Sequence, residues 1–362
     1  MAKIRHQRCP NCGSLDTKKN GHHRGYTRYY CKSCKHYFTD RRSHISERNM
    51  SIWFERWVCG KQSIEQLARD SHYSTRSLLR YFHRMLPRCP EWQMQRRDKV
   101  NLMIDGTYFT NEVCLILYRD YRYRVTQLYR FTKTESLREI KEDLQNILNL
   151  HIQIESVTCD GAANIIRAVR EVCPEAILQR CTFHVAHQVG LWLTKKPKSE
   201  AARELLELST LLAKIQTQPD AQLWMRAFID WYHKYEAFIN EKSYDEESGR
   251  WWYKHKLLHR STTHIKRAIP YLFNYTRYPN IPKTSNSIES FFGHLKDVQR
   301  LHRGLSREHF INFIKWYLFF QSNKDKLKQK QEELWPFLLP DFLSTQQPLL
   351  ATLPLLRVAK GD

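Results

Sequence analysis

The sequence lacks the long apolar runs that mark membrane-spanning and secreted chains. No stretch approaches the roughly 18 uninterrupted apolar residues of a membrane span, and the opening MAKIRHQRCP has no apolar core of a signal peptide. The cysteine pattern also argues against a disulfide framework, because four of the ten cysteines are paired at metal spacing and six are scattered. We therefore expect a cytosolic protein with reduced thiols.

Acidic residues are scarce as well. The 362 residues carry 59 Lys and Arg against 37 Asp and Glu, for a formal net charge of +22. The first 98 residues hold 21 of the basic and only 8 of the acidic side chains, so the excess is concentrated there. This imbalance indicates a polyanionic partner, which is nucleic acid or, as the weaker alternative, an anionic membrane surface. The length predicts two to four domains.

Two Cys-x-x-Cys units stand near the start of the chain, with eighteen residues between them. Four thiolates at this spacing can close a tetrahedron around a structural Zn²⁺ that has no open position. We predict a zinc ribbon over residues 1–45 that rests on the DNA backbone, although zinc ribbons also mediate protein contacts. The predicted zinc ligands are Cys9, Cys12, Cys31 and Cys34.

Residues 63–85 show helical periodicity that is interrupted at 70–73, and Ser74 is a good N-cap for the second helix. Two short helices with a tight turn predict a helix-turn-helix domain over residues 46–90. Its second helix would offer Arg76, Ser77 and Arg80 to DNA. The alternative is an ordinary helical hairpin with a solvated basic face.

Two apolar segments end in the same way. Residues 99–104 lead into Asp105-Gly106, and residues 154–159 lead into Asp160-Gly161. The order strand, strand, strand, helix, strand, helix, strand predicts an α/β fold with a mixed sheet and flanking helices over residues 91–184. Because neighbouring strands lie about 4.8 Å apart, carboxylates at matching strand ends could share one metal site. The alternative is that each Asp-Gly pair is only a turn.

The second half of the chain is predicted to be helical. Residues 185–283, rich in Trp, Tyr and Lys, would form an all-α insertion whose aromatic residues are core, and 284–325 would return to the main domain. A helix from KTSNSIES to about Arg303 aligns Glu289 with Lys296, Arg300 and Arg303. This stripe suits either a solvated face or a track for a phosphate backbone. Residues 326–362 form a Leu- and Pro-rich tail.

With these carboxylates, the chain resembles the DDE transposases of bacterial insertion sequences, specifically the group related to eukaryotic Mutator elements. The matching pieces are MIDGTY, TCDGAANI, RCTFH and NSIESFFGHLK, within about residues 100–320. The resemblance implies an RNase H-like fold with a helical insertion, and a catalytic triad of Asp105, Asp160 and Glu289. Cys181 and His184 match the family's Cys-x-x-His signature. Two ligands are too few for a zinc site, so we expect a local structural or DNA-positioning role for them.

The chemistry of three gathered carboxylates agrees with this resemblance. They repel one another unless a divalent cation neutralises them, and oxygen ligands suit Mg²⁺ or Mn²⁺. The chain is expected to bind the terminal inverted repeats of its element, to cut and join double-stranded DNA, and to act as a dimer or higher oligomer at the bacterial nucleoid. Alternatives are a catalytically silent DNA-binding regulator and a structure-selective nuclease.

Overall fold

A computed structural model describes residues 7–334 except Arg24, Gln93, Gln95, Arg96 and 110–112, and for residues 40–49 and 323–334 it describes the backbone alone. Most of the Leu- and Pro-rich tail predicted from residue 326 therefore lies outside the described residues. The chain divides into two compact units, Met1–Trp92 with Gly293–Phe320, and Gln93–Phe292 with Gln321–Asp362. This division differs from the predicted one, in which residues 284–325 belong together with the catalytic core.

The first unit opens with a small antiparallel sheet. Its strands are β1 (Thr17–His23), β2 (Tyr26–Cys31) and β3 (Tyr37–Thr39), in the order β1-β2-β3. Helix α1 (Asp40–Cys59) follows β3 directly and was not predicted. The helix thus begins before residue 45, where the ribbon was expected to end.

Two short helices follow in the first unit, α2 (Ile64–Ser71) and α3 (Thr75–Met85). Ser63 forms a capping box at the start of α2, and the Ser74 side chain accepts a hydrogen bond from the Ser77 amide at the start of α3. His72 adopts the left-handed conformation between them, which turns the chain. The two helices and the Ser74 cap therefore lie where the sequence predicted them, whereas the Ser63 capping box was not predicted.

A helix from the far end of the chain completes the core of the first unit. Helix α11 (Arg307–Leu334) carries Trp316, whose indole nitrogen donates to the carbonyls of Met85 and Leu86. Trp316 also packs edge-on against Phe54 of α1 at 5.1 Å between ring centroids. Aromatic packing of this kind stabilises a small helical domain by burying large apolar surfaces.

The second unit is built on a five-stranded mixed sheet, as predicted. Its strands are β4 (Lys99–Phe109), β5 (Val113–Asp120), β6 (Val125–Thr132), β7 (Gln153–Cys159) and β8 (Ile177–Arg180). The order is β6-β5-β4-β7-β8, with antiparallel pairs on the β6 side of β4 and parallel pairs on the other. Helices α4 (Leu137–Asn149) and α5 (Ala163–Val172) flank it.

The core of this unit lies between the sheet and these two helices. Alternate residues of the strands point to it, as a period of two requires, and apolar residues at helical spacing meet them. The buried residues include Leu102, Ile104, Ile116, Tyr118, Ile140, Leu144, Val157, Ile165 and Val169. This packing fixes the strand register on which the site below depends.

The insertion between β8 and the C-terminal helices is mostly but not wholly helical. It contains α6 (Thr182–Leu193), α7 (Glu200–Leu211), α8 (Gln218–Ile239) and α9 (Lys256–Ala268), with Trp224, Phe228 and Trp231 in its core. A two-stranded hairpin of β9 (Lys242–Tyr244) and β10 (Trp251–Tyr253) stands between α8 and α9. The all-α prediction is therefore wrong here.

The hairpin also corrects the expected burial of its aromatic residues. Trp251 and Trp252 are each 49% exposed, so they are not core residues. A run of three aromatic residues is too short for its periodicity to distinguish a strand from a helix.

Helix α10 (Asn286–Arg300) follows the insertion. It ends three residues earlier than predicted, because Leu301 and His302 turn back onto the carbonyls of Val298 and Gln299. Arg303 consequently lies beyond the helix and not on its stripe. Within the part of the chain that the structure describes, no helix is both long enough and apolar enough to cross a membrane.

Candidate active site

A row of three side chains crosses the parallel half of the sheet. Ile104 of β4 is the register partner of Cys159 of β7, and Cys159 is the partner of Arg180 of β8. The residue after each partner is Asp105, Asp160 and Cys181 in turn. Neighbouring strands are about 4.8 Å apart, so these three residues emerge side by side at the carboxyl ends of β7 and β8.

Strand β4 does not end at Asp105, which corrects the predicted strand end. It continues to Phe109 through antiparallel pairing with β5, in which Asp105 faces Leu117 and Gly106 faces Ile116. Only the parallel pairing with β7 stops at Ile104. Asp105 therefore lies where β4 loses one neighbour but keeps the other, which holds its backbone rigidly.

Both carboxylates are oriented by backbone amides. The Gly106 amide donates to Asp105 Oδ1 at 2.9 Å, and the Ala162 amide donates to Asp160 Oδ1 at 2.8 Å. Burial, together with the nearby charge of Asp160, raises the pKa of Asp105 to about 7, and His184 opposes this shift. Burial and repulsion from a neighbouring carboxylate both disfavour the ionised form of Asp105.

Glu289 reaches this region because the segment before α10 is tied to the sheet and to α6. The Thr158 hydroxyl donates to the carbonyl of Pro282 at 3.3 Å, and the Thr182 amide donates to the carbonyl of Lys283 at 3.2 Å. These bonds fix residues 282 and 283 against the end of β7 and the start of α6. Glu289 lies in the first turn of α10.

Ser285 links Glu289 to the Cys-x-x-His signature. Its amide donates to Cys181 Sγ at 3.3 Å and its hydroxyl donates to Glu289 Oε1 at 3.2 Å. His184 Nδ1 lies 3.4 Å from the Ser285 hydroxyl and 3.6 Å from Glu289 Oε1. The structure therefore brings Cys181, His184 and Glu289 together, which the sequence did not predict.

Cys181 and His184 are hydrogen-bonded to each other, and each shifts the pKa of the other. Burial raises the pKa of Cys181, but hydrogen bonds from His184 and Ser285 outweigh it and hold the pKa below its usual value. The hydrogen bond to Cys181 raises the pKa of His184 to about 9 against the effect of burial. His184 also lies beside the carboxylates, and its charge lowers the pKa of Asp105.

The donor set of the three carboxylates fits a hard divalent cation. Carboxylate oxygens are the ligands that Mg²⁺ and Mn²⁺ prefer. Asp160 and Glu289 both lie near enough to Asp105 for their charges to raise its pKa. They do not form a group whose ligand atoms all lie within 4.8 Å of one another.

Two further side chains border the carboxylates, and the sequence did not single them out. The Glu135 carboxylate packs over the Cα of Gly106, where a Cβ would overlap it, and burial and Asp160 raise its pKa. The Arg180 guanidinium packs in the same way under Gly161 and donates to the Asp160 carbonyl at 3.1 Å. The register argument that paired Asp105 with Asp160 could have found Arg180, but a loop residue such as Glu135 leaves no periodic signal.

The four predicted zinc ligands of the first unit also come together. Their sulfur atoms all lie within 4.8 Å of one another, with 3.6 Å between Cys9 and Cys34 and between Cys12 and Cys31. Zinc–sulfur bonds of about 2.3 Å require sulfur atoms about 3.8 Å apart in a tetrahedron. The cluster is therefore compatible with a zinc ribbon.

The predicted DNA-contacting residues occupy two helices and a turn of the first unit. Arg76, Ser77 and Arg80 are exposed on α3, although the Ser77 hydroxyl is hydrogen-bonded to that of Ser74 at 2.9 Å. Lys296 is half-buried on α10, whereas Arg300 and Arg303 are exposed. Asp297 lies beside Lys296 and Arg300 on α10 and accepts hydrogen bonds from Arg300 and Lys61.

Part of the chain matches the model of a known protein family. The model of a DDE transposase family, the ISL3 type, matches residues 102–217, about a third of the chain. The match includes Asp105, Asp160, Cys181 and His184 and ends before Glu289. No curated protein matches the chain. The family match supports a DNA transposase of the DDE type, but it does not single out the Mutator-related group.

Proposed function

We propose that the chain is a DNA transposase whose catalytic carboxylates are Asp105, Asp160 and Glu289. The observation that carries this proposal is the register of β4 and β7, which sets the two aspartates side by side, with Glu289 reaching the same region from α10. A mixed sheet in the order β6-β5-β4-β7-β8 with a helical insertion before the Glu agrees with an RNase H-like core. Assignment to the Mutator-related group rests on the motif resemblance alone.

The three carboxylates would hold Mg²⁺ or Mn²⁺. When bound, two such ions activate a water or a 3′-hydroxyl and stabilise the leaving oxygen of an in-line displacement. Asp105 contributes a carboxylate that is partly protonated at neutral pH in the absence of metal, so it gives up a proton when a cation is bound. The amides of Gly106 and Ala162 keep the two aspartates from rotating away.

The first unit supplies the contacts that select DNA. The ribbon with its structural Zn²⁺ and the helices α2 and α3 would bind the terminal inverted repeats, with the exposed Arg76 and Arg80 on the second helix. Arg300 and Arg303 would contact phosphates from the region of α10. Two element ends must be cut together, so a dimer or higher oligomer is expected on DNA.

Two alternative functions can be distinguished from a transposase by experiment. A regulator derived from a transposase would bind DNA without cutting it, and an RNase H-like nuclease would cut without joining. The intact set of three carboxylates favours catalysis over a silent regulator. The two predicted DNA-binding modules of the first unit favour a sequence-directed transposase over a structure-selective nuclease.

A single assay separates the three functions. The purified chain is incubated with a labelled duplex that carries one end of the DNA element encoding it, a target plasmid and Mg²⁺. A transposase gives nicked ends and products joined to the plasmid, and both disappear when Mg²⁺ is omitted. Nicks without joined products support the nuclease, and binding without nicks supports the regulator.

A further inference from the structure

Cys181, His184 and Glu289 form a group with the donor types of a zinc site. Within the described residues two groups have ligand atoms that all lie within 4.8 Å of one another, and the other group is the set of ribbon cysteines. His184 Nδ1 and Glu289 Oε1 are 3.6 Å apart, close to the roughly 3.4 Å edge of a tetrahedron with metal bonds of about 2.1 Å. His184 Nδ1 and Glu289 Oε1 are therefore at a suitable distance from each other to bind the same metal ion.

We propose that Cys181, His184 and Glu289 bind a second Zn²⁺ and leave one position open to water. Sulfur, nitrogen and oxygen donors in this number are typical of zinc sites with an open position. A thiolate also selects Zn²⁺ over Mg²⁺, because hard cations prefer oxygen ligands. The sequence alone argued against zinc here, since it offered two ligands, and the fold supplies the third.

The neighbouring groups orient these ligands as outer-shell residues do in metal sites. The Ser285 amide donates to Cys181 Sγ, which favours the thiolate, and the Ser285 hydroxyl donates to Glu289 Oε1. The Cys181 amide donates to the carbonyl of Cys159 at 2.8 Å and fixes its backbone to β7. One serine therefore positions two of the three ligands.

The group is accessible to an ion from solvent. Cys181 is fully buried, but the His184 and Glu289 side chains are 29% and 32% exposed. An ion would therefore reach Cys181 past these two side chains. On binding, the proton of the Cys181–His184 pair would be released to solvent, because Zn²⁺ requires the thiolate and a neutral imidazole nitrogen.

Glu289 belongs to this group and also to the proposed catalytic carboxylates. Zn²⁺ would hold its carboxylate toward Cys181 and His184, and so would oppose the binding of Mg²⁺ with Asp105 and Asp160. This consequence, unlike the site itself, rests on the proposed function. Zinc would then act as an inhibitor of DNA cleavage at concentrations that fill the second site.

Metal binding by the full chain tests the site without any need for catalysis. Zinc content is measured after equilibration with Zn²⁺ and removal of the excess, in wild type, in Cys181→Ser and in Cys89→Ser, a control that removes a thiol outside both groups. We expect two Zn²⁺ per chain in wild type and in the control, and one in Cys181→Ser. One Zn²⁺ in wild type, or two in Cys181→Ser, would overturn the proposal.

Cobalt binding identifies the ligands directly. Co²⁺ added to the chain that already holds one Zn²⁺ should give a thiolate-to-cobalt charge-transfer absorption, which Cys181→Ser should lack. Glu289→Gln keeps this absorption but should weaken the second site at least tenfold. It also serves as the folded variant if Cys181→Ser is unstable, since Glu289 is partly exposed. Unchanged affinity in Glu289→Gln would remove Glu289 from the site.

Inhibition is measured last, so that its failure is separate from failure of the site. If the chain nicks DNA with Mg²⁺, filling the second zinc site should slow nicking at least tenfold, and removal of that zinc should restore the rate. Full nicking with the second site filled would contradict the sharing of Glu289. A chain that never nicks DNA but binds two Zn²⁺ would contradict the proposed function and support the zinc site.

Discussion

Asp105 and Asp160 lie side by side because each follows one member of the same register pair, Ile104 and Cys159, on neighbouring parallel strands. This arrangement crowds two carboxylates in a partly buried place, where burial and mutual repulsion raise the pKa of Asp105 to about 7. The proposed function explains why such a costly arrangement persists, since a divalent cation would remove the repulsion.

Asp105→Asn should stabilise the metal-free chain at pH 8 while it abolishes DNA cleavage. A raised folded-state pKa means that this group favours the folded state below its ordinary pKa of 3.8, and that this contribution is lost as the pH rises to about 7. At pH 8 the wild type therefore carries the full penalty of an ionised, buried carboxylate. We expect a gain of about 1 to 3 kcal/mol in the free energy of unfolding.

The measurement is urea denaturation without added Mg²⁺ at two pH values. A pH of 5.5 lies about midway between the ordinary pKa and the raised pKa of Asp105. The gain in the free energy of unfolding at pH 5.5 should therefore be about half of the gain at pH 8. Asn can still accept the hydrogen bond from the Gly106 amide, so the backbone is preserved. An equal gain at both pH values would contradict the raised pKa.

Gly106→Ala should displace Glu135. The added Cβ would overlap the Glu135 carboxylate, so the side chain must move away from the aspartates. We expect a loss of about 1 kcal/mol in stability and a change in the Mg²⁺ concentration needed for cleavage. In a Glu135→Ala background, Gly106→Ala should lower the free energy of unfolding by less than about 0.5 kcal/mol. The carboxylate that the new Cβ overlaps is then absent, so the two effects are coupled.

The double-mutant cycle is measured by urea denaturation of the four chains. Additive effects would show that Glu135 does not occupy the space above Gly106. This glycine is needed for the close approach of a side chain and not for a turn, since β4 continues through it.

Arg180→Lys should lower cleavage about tenfold with little change in overall fold. Arg180 is 5% exposed, and its guanidinium lies under Gly161 and donates to the carbonyl of Asp160, so it supports the loop that holds this aspartate. A lysine cannot reproduce the flat contact with the glycine. The expected signature is a lower kcat with KM for DNA unchanged, and an equal loss of DNA binding would contradict a positioning role.

The sequence predicted the sheet, the paired aspartates and the ribbon because each leaves a periodic or spaced signal. Apolar runs before Asp-Gly marked β4 and β7, and two Cys-x-x-Cys units marked the ribbon. The continuation of β4 past Asp105 could not be seen, because it depends on pairing with β5. Sequence periodicity describes a strand but not how far its neighbour extends.

Other features could not be predicted from the sequence for similar reasons. The hairpin of β9 and β10 is too short to show alternation, and Glu135 lies in a loop. The meeting of Cys181 and His184 with Glu289 joins positions more than a hundred residues apart. The hydrogen bonds of Ser285 that produce this meeting are long-range contacts, which local sequence patterns do not contain.

Arg76→Ala with Arg80→Ala should weaken DNA binding and flatten its salt dependence. Both side chains are exposed on α3, and each phosphate contact contributes about 0.9 to the slope of log K against log salt. The pair should therefore reduce the slope by about 2 if both arginines contact phosphates. Binding of the element-end duplex is measured from low to moderate salt, with Arg138→Ala on α4 as an exposed control. A slope equal to that of wild type would exclude these arginines from the interface.

The most direct test of the catalytic assignment is Mg²⁺-dependent nicking of the element-end duplex by Asp160→Asn. Asp230→Asn, which replaces an exposed aspartate of α8, is the matched control. We expect Asp160→Asn to bind the duplex as wild type does but to nick it at least a thousandfold more slowly, while Asp230→Asn retains the wild-type rate. Nicking by Asp160→Asn at the wild-type rate would contradict the assignment of the carboxylates.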